Sequence, residues 1–278
     1  MGYTSRDVVN VVGKSLDTRK IGHTGTLDPK ASGVLVLCVG QALKLNELFD
    51  SDDKEYVAEV ILGIETDTLD MDHNATILKD IDVDVDDEKI VNAVNSFKGK
   101  YMQEVPIYSS VKVNGRKLYE YARNNISVKL PRKEVEIRDI MVDSDITHKD
   151  GKICFKIRAT VGKGTYIRAL VRDIGKKLGV PAVMNNLVRT RVGNFKLNDC
   201  NSLDDIKEGK YKIISILDAF KNIPVIKVDD NIAFKVKNGV ILENLFNSDM
   251  AFITDQYNNL LALYKKVDNK NRPYKMFT

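Results

Sequence analysis

Cysteine is scarce: only Cys38, Cys154 and Cys200 occur, odd in number and far apart. That excludes a disulfide framework and a Cys-x-x-Cys metal pair. Two of them fall in apolar, strand-like runs and read as reduced core thiols, which fits a reducing cytoplasm. The three histidines, His23, His73 and His148, are not spaced as metal ligands. No apolar run is long enough to span a membrane, and the start, Met1-Gly2-Tyr3-Thr4-Ser5, is not a signal peptide. Internal repeats and low-complexity tracts are missing as well. So is an excess of one charge: 43 Lys and Arg stand against 39 Asp and Glu, a net charge of +4. Many enzymes share that balance, so any basic footprint must come from clustering. The acidic run 80–88 holds six of the 39 acidic residues, leaving the remainder more basic than the total suggests.

What is present suits one large domain plus a small one: 278 residues, 43% of them hydrophobic. Ser5 is placed to cap a helix with Val8, Val9, Val12 and Leu16 on its apolar side. Residues 33–40 read as a buried strand, 41–49 as a short helix and 54–63 as a strand with β-branched alternation. Asp86 or Asp87 starts a helix with Ile90, Val91, Val94 and Phe97 at helical spacing, ended by Gly99. Further strands are expected at 106–113, 134–142, 152–161 and 189–197, with helices at 117–124 and 165–178. Asn114-Gly115 reads as a turn. Strict βαβ alternation is missing, which predicts a mixed sheet in an α+β fold. Residues 199–222 read as a connection with short helices. Short β pieces follow at 225–228, 239–242, 250–254 and 260–267.

The most informative stretch is Gly22-His23-Thr24-Gly25-Thr26-Leu27-Asp28-Pro29. Pro29 keeps Asp28 out of helical backbone angles, and the glycines let another backbone approach closely. Such a loop presents a carboxylate to a ligand. Four more strings accompany it: Lys54-Glu55-Tyr56; Gln103 to Arg123, which mixes basic groups with aromatics; Gly162-Lys163-Gly164-Thr165-Tyr166-Ile167-Arg168; and Asn186-Leu187-Val188-Arg189-Thr190-Arg191-Val192-Gly193. The third follows a strand and opens a helix, so its amides with Lys163 can hold an anion. The order is not that of a Walker loop.

Together these strings, from residue 1 to about 200, resemble the bacterial tRNA pseudouridine synthases that modify uridine 55, the TruB family. The resemblance implies the pseudouridine synthase fold, a mixed, largely antiparallel sheet flanked by helices over 1–200. A connecting segment follows at 201–221, then a small β-rich, PUA-like RNA-binding domain at 222–278. It implies that Asp28 is the catalytic aspartate, as nucleophile or as a base on the ribose. By the same resemblance His23 fills the space left by a flipped base, Tyr56 stacks on the uracil, and Tyr166 and Arg168 line the pocket, the arginine pairing with Asp28. Leu187 closes the pocket. Lys112, Arg116, Lys117, Arg123 and Lys163 are expected on the RNA surface. The expected partner is the tRNA T-arm, with no guide RNA and no membrane. No cofactor or metal is expected, since an isomerisation gains no atom. A cytoplasmic monomer is the default. The family begins with a further strand ending in Lys-Pro-x-Gly, so an unpaired strand edge is expected beside the present start.

Overall fold

The computed structural model describes residues 2–28, 30–51, 53–72 and 75–277. Pro29 and His73 therefore lie outside the described residues. The chain forms two compact units. One runs to Asn10 and includes His23–Val36 and Leu48–Cys200; the other holds Val11–Gly22, Leu37–Glu47 and the chain from Asn201 on.

The first unit is built on an eight-stranded sheet. Its order is Phe195–Lys196, Ala182–Val192, Lys54–Leu62, Lys152–Val161, Arg132–Val142 and Gly99–Glu104. Thr147–Lys149 adds to Lys152–Val161, and Ser32–Gly33 to Ala182–Val192. Every pairing is antiparallel except that of Ser32–Gly33, which makes the sheet mixed. Alternation explains the central strands. Ile153, Phe155, Ile157, Ala159 and Val161 point to one face and are buried, as are Ala58, Val60 and Leu62 beside them. The helices Asp87–Asn95 and Ile167–Leu178 cover that face with Ile90, Val94, Leu170, Val171 and Ile174. The second helix stops where Gly179 turns left-handed (φ 76°) and its N–H closes on the carbonyls of Gly175 and Lys176.

Several expectations are corrected. The cap of the helix Ser5–Ser15 is Thr4, whose hydroxyl accepts from the Asp7 N–H while Asp7 accepts from the Thr4 N–H. Ser5 is then free to bond elsewhere. Residues 33–40 do not form one strand but contribute to Ser32–Gly33 and Leu37–Val39. The stretch 106–113 pairs only at Lys112–Val113, because Pro106 offers no ladder donor. The strand 189–197 begins earlier, as Ala182–Val192, and folds back as Phe195–Lys196.

The second unit carries a five-stranded sheet in the order Val225–Lys227, Met250–Thr254, Leu260–Val267, Lys270–Met276, Leu242–Glu243. The helix Asp230–Lys237 buries Ala233 and Val236 against it. This helix and the strand Lys270–Met276 were not foreseen. The strand is polar and holds Pro273, which the sheet accommodates beside a register shift that leaves Tyr274 unpaired between Pro273 and Lys275. No helix among the described residues is long and apolar enough to cross a membrane.

Candidate functional site

Asp28 sits on the loop that leaves the strand Ile21–His23 and returns through Ser32–Gly33. The Ala31 N–H closes the turn on the Asp28 carbonyl (2.9 Å). One residue earlier, the Leu27 N–H donates to the Ser5 hydroxyl (3.0 Å). A buried Ser5 at the start of its helix thus fixes the backbone next to Asp28. The carboxylate is 41% exposed, which keeps it reachable by a ligand.

Arg168, in the first turn of Ile167–Leu178, lies against Asp28 and is itself buried. Its Nε is 3.1 Å from Oδ2, and Nη2 donates to Oδ1 at 3.5 Å. The remaining donors are also occupied. Nη1 bonds the Thr68 carbonyl (2.9 Å) and lies 3.5 Å from Asp70, and Nη2 bonds the Tyr108 carbonyl (3.1 Å). Three hydrogen bonds and two ion-pair contacts thus engage every guanidinium nitrogen, so neither its charge nor its plane can swing without losing some of them.

Asp70 was not singled out from the sequence. Its carboxylate accepts from the Thr68 hydroxyl (2.7 Å) and shares Arg168 with Asp28. A second placed carboxylate near the loop, which the sequence did not reveal, is therefore present. Leu69 between these two residues has φ 64°, a strained angle for a bulky side chain. Backbone bonds to Met184 hold it there: the Met184 N–H donates to Leu69 and the Met71 N–H donates to Met184. Among the positive-φ residues other than glycine, asparagine and aspartate, Leu69 stands alone in the described chain, and nothing in the sequence announces it. A cleft opens among Asp28, Ala31, Asp70, Met184, Asn186 and Leu187. Leu187 is on the strand Ala182–Val192 between bulges at Met184/Asn186 and Arg189/Arg191, which aim the strand locally.

Tyr166 is the N-cap residue of Ile167–Leu178 and packs on Val105, Leu118 and Tyr121. Burial raises its phenol above the usual range, the charge of Asp28 acting the same way, while the Ser109 hydroxyl and Arg168 oppose it. The phenol stays protonated at neutral pH. A buried Gln103 holds both backbone groups of Tyr166: its Oε1 accepts from the N–H (2.9 Å) and its Nε2 donates to the carbonyl (3.1 Å). Gln103 opened one of the sequence strings, yet its role shows only here.

Tyr56 and His23 are placed near the site's frame but not on Asp28; among the described residues neither bonds to it. Tyr56 is on the central strand, opposite Ala159 on one side and Arg189 on the other, half-buried against the core. His23 ends the strand Ile21–His23 with its Nδ1 buried and without a hydrogen-bond partner. Burial, then the charges of Arg189 and Arg6, lower its pKa, so the imidazole is neutral at pH 7. The unfolded chain takes up that proton first on acidification. Stability should therefore fall as pH drops below the ordinary histidine value, by the His23 share. An NMR titration of the ring should find its midpoint below the ordinary histidine value.

Lys112 and Arg116 lie in the hairpin Lys112–Val113/Arg116–Lys117, whose Asn114-Gly115 turn has positive φ at both positions. Lys117 and Arg123 both approach the Tyr119 ring, at 5.5 and 5.2 Å. The expected basic and aromatic cluster is thus real, on a hairpin and the helix Leu118–Arg123. Lys163 is exposed in the turn before that of Tyr166.

Residues 14–167 match the family described as TruB family pseudouridylate synthase (N terminal domain), and 168–218 match the tRNA pseudouridylate synthase B C-terminal domain. A protein of Bacillus subtilis (strain 168) named tRNA pseudouridine synthase B is 39% identical over 276 residues, covering 95% of this chain and 89% of the relative. One of Staphylococcus aureus (strain bovine RF122 / ET3-1), with the same name, is 40% identical, covering 99% and 96%. Among solved structures, a chain of a Cbf5-Nop10-Gar1 complex is similar at TM-score 0.65 and 25% identity, covering all of this chain and 81% of its own. A chain of an H/ACA RNP bound to a substrate RNA containing 2'-deoxyuridine reaches TM-score 0.67, also at 25% identity. A match over nearly its whole length, joined to a loop carboxylate paired with a buried arginine, shows that the chain belongs to the TruB family of pseudouridylate synthases.

Proposed function

We propose that this chain converts uridine 55 in the T-loop of tRNA to pseudouridine, with Asp28 as the catalytic carboxylate. The observation that carries the reading is the Asp28–Arg168 pair, partly open, at the edge of a cleft that Leu187 lines. Names of the relatives support tRNA as the substrate. In the reaction the N1–C1′ bond breaks, the uracil turns and C5 bonds to C1′. The C5 hydrogen leaves as a proton and N1 takes one up. Asp28 attacks the sugar as a nucleophile or removes a ribose proton; either role needs a carboxylate held still beside C1′.

A stacked uridine cannot reach that cleft, so it must be flipped out, at a cost of a few kcal/mol. Stacking on Tyr56 and His23 in the vacated space offset that cost. Tyr166, kept protonated, lines the pocket as a neutral donor. Residues 222–278 serve as a small RNA-binding domain, and the enzyme acts on bare tRNA without a guide RNA. The test is a T-arm hairpin tritiated at uridine C5: the wild-type chain alone, with no guide and no added metal, should release tritium to water. No release from folded protein that binds the hairpin sinks the isomerase reading.

Phosphate contacts through Lys112, Arg116, Lys117 and Arg123 give a salt-dependent affinity. Lys117→Gln should weaken hairpin binding and lower the slope of log K against log salt by about one. An unchanged slope, read by filter binding across a salt series, removes Lys117 from the interface.

A further inference from the structure

Arg189 is 2% exposed, one of the largest fully buried side chains of the protein. Among the described residues no carboxylate pairs with it. Its partners are two carbonyls: Nε donates to Val34 (2.7 Å) and Nη2 to Gly25 (3.1 Å). Burying a guanidinium without a counter-ion is costly, and an apolar side chain of similar volume would fill the space more cheaply. What the arginine adds is a rigid planar fork whose donors point in fixed directions.

Those two carbonyls stand on the outgoing and returning stems of the loop that carries Asp28. The returning stem is held twice more. The Val34 N–H donates to the Arg189 carbonyl (2.8 Å), and Gly33 pairs in parallel with Arg189 in the sheet. The approach is so close that a Cβ on Gly33, at φ 107°, would come 2.1 Å from the Arg189 carbonyl oxygen. On its other side the Arg189 backbone faces Tyr56 on the central strand. One residue thus ties both stems of the Asp28 loop to the strand that bears Tyr56.

We propose that Arg189 is a positioning residue for the reaction: its guanidinium sets the span between the stems at Gly25 and Val34, and so the place of the Asp28 carboxylate relative to Arg168 and Tyr56. The proposal rests on the isomerase reading above. It acts through the loop backbone, without touching the substrate.

The test compares wild type with Arg189→Lys and Arg189→Met. Each is assayed for single-turnover tritium release at saturating T-arm hairpin, for hairpin affinity and for thermal melting. Lysine keeps the charge but cannot span two carbonyls as a fork. The expected result is a turnover rate reduced on the order of 10²-fold in Arg189→Lys, the size of effect a displacement of about 1 Å produces, with hairpin affinity close to wild type and melting lowered by the carbonyl left without a donor but still well above the assay temperature. Should Arg189→Met fail to fold, Arg189→Lys carries the test. Wild-type rates in a folded variant overturn the proposal. So does a loss of rate that merely follows equal losses of binding and folded fraction, since that is a general structural role. A wild-type chain that releases no tritium overturns the isomerase reading beneath it, a result distinct from equal rates in active proteins.

Discussion

Asp28→Asn should reduce tritium release from the T-arm hairpin on the order of 10⁴-fold or more, the scale seen when a group that reacts with the substrate is removed. Asparagine has nearly the same size and still accepts from Arg168 through its amide oxygen. The Leu27–Ser5 bond and the Ala31 turn involve backbone, so the loop keeps its shape. What disappears is the negative charge, and with it both the nucleophile and the base. With binding assigned by the proposed function to the basic protein hairpin and the pocket walls, affinity for the RNA hairpin should stay within about tenfold of wild type. Retained turnover sinks Asp28 as the catalytic carboxylate; lost binding instead points to a role in holding RNA.

Arg168→Lys is expected to be the second largest effect, on two readouts. The ammonium has three donors against five and no fixed plane. Four groups compete for it: Asp28, Asp70 and the carbonyls of Thr68 and Tyr108. The side chain is 9% exposed, so water cannot replace a missing bond. Each buried acceptor left without a donor costs about 1–3 kcal/mol. With one or two stranded, the protein should lose roughly 2–4 kcal/mol in urea unfolding. Turnover should fall about 10²–10³-fold, as when one preorganised donor at a reacting centre is removed. Near-normal turnover would show that Asp28 needs only a nearby positive charge, and would dismiss the guanidinium lock.

Asp70 makes the contrast between the two carboxylates concrete. It is less exposed than Asp28, at 17% against 41%, and is bonded by the Thr68 hydroxyl. Its geometry suits an anchor for Arg168, and that of Asp28 suits contact with a ligand. Two acids on one guanidinium thus divide the work by access to the cleft.

The amino-acid sequence determined the periodic elements and singled out Asp28 as the candidate reacting group. Alternation in 152–161 and helical spacing in 167–178 announce which side chains face inward, because a strand or helix repeats its faces within a few residues. The string 22–29 announces a presented carboxylate in the same local way. The strand Lys270–Met276 is polar and holds Pro273, so no local pattern announces it, and pairing with Leu260–Val267 forms it all the same. Only the tertiary structure decided what the site is made of. The acceptors of Arg168 lie 140, 100 and 60 residues away along the chain, at Asp28, Thr68 and Tyr108. Ser5 reaches Leu27 across 22 residues, Gln103 reaches Tyr166 across 63, and Arg189 reaches Gly25 and Val34 across 164 and 155. Such bonds leave no periodic trace. They depend on strand register and on which loop the sheet brings alongside, and those are settled only when the whole chain packs.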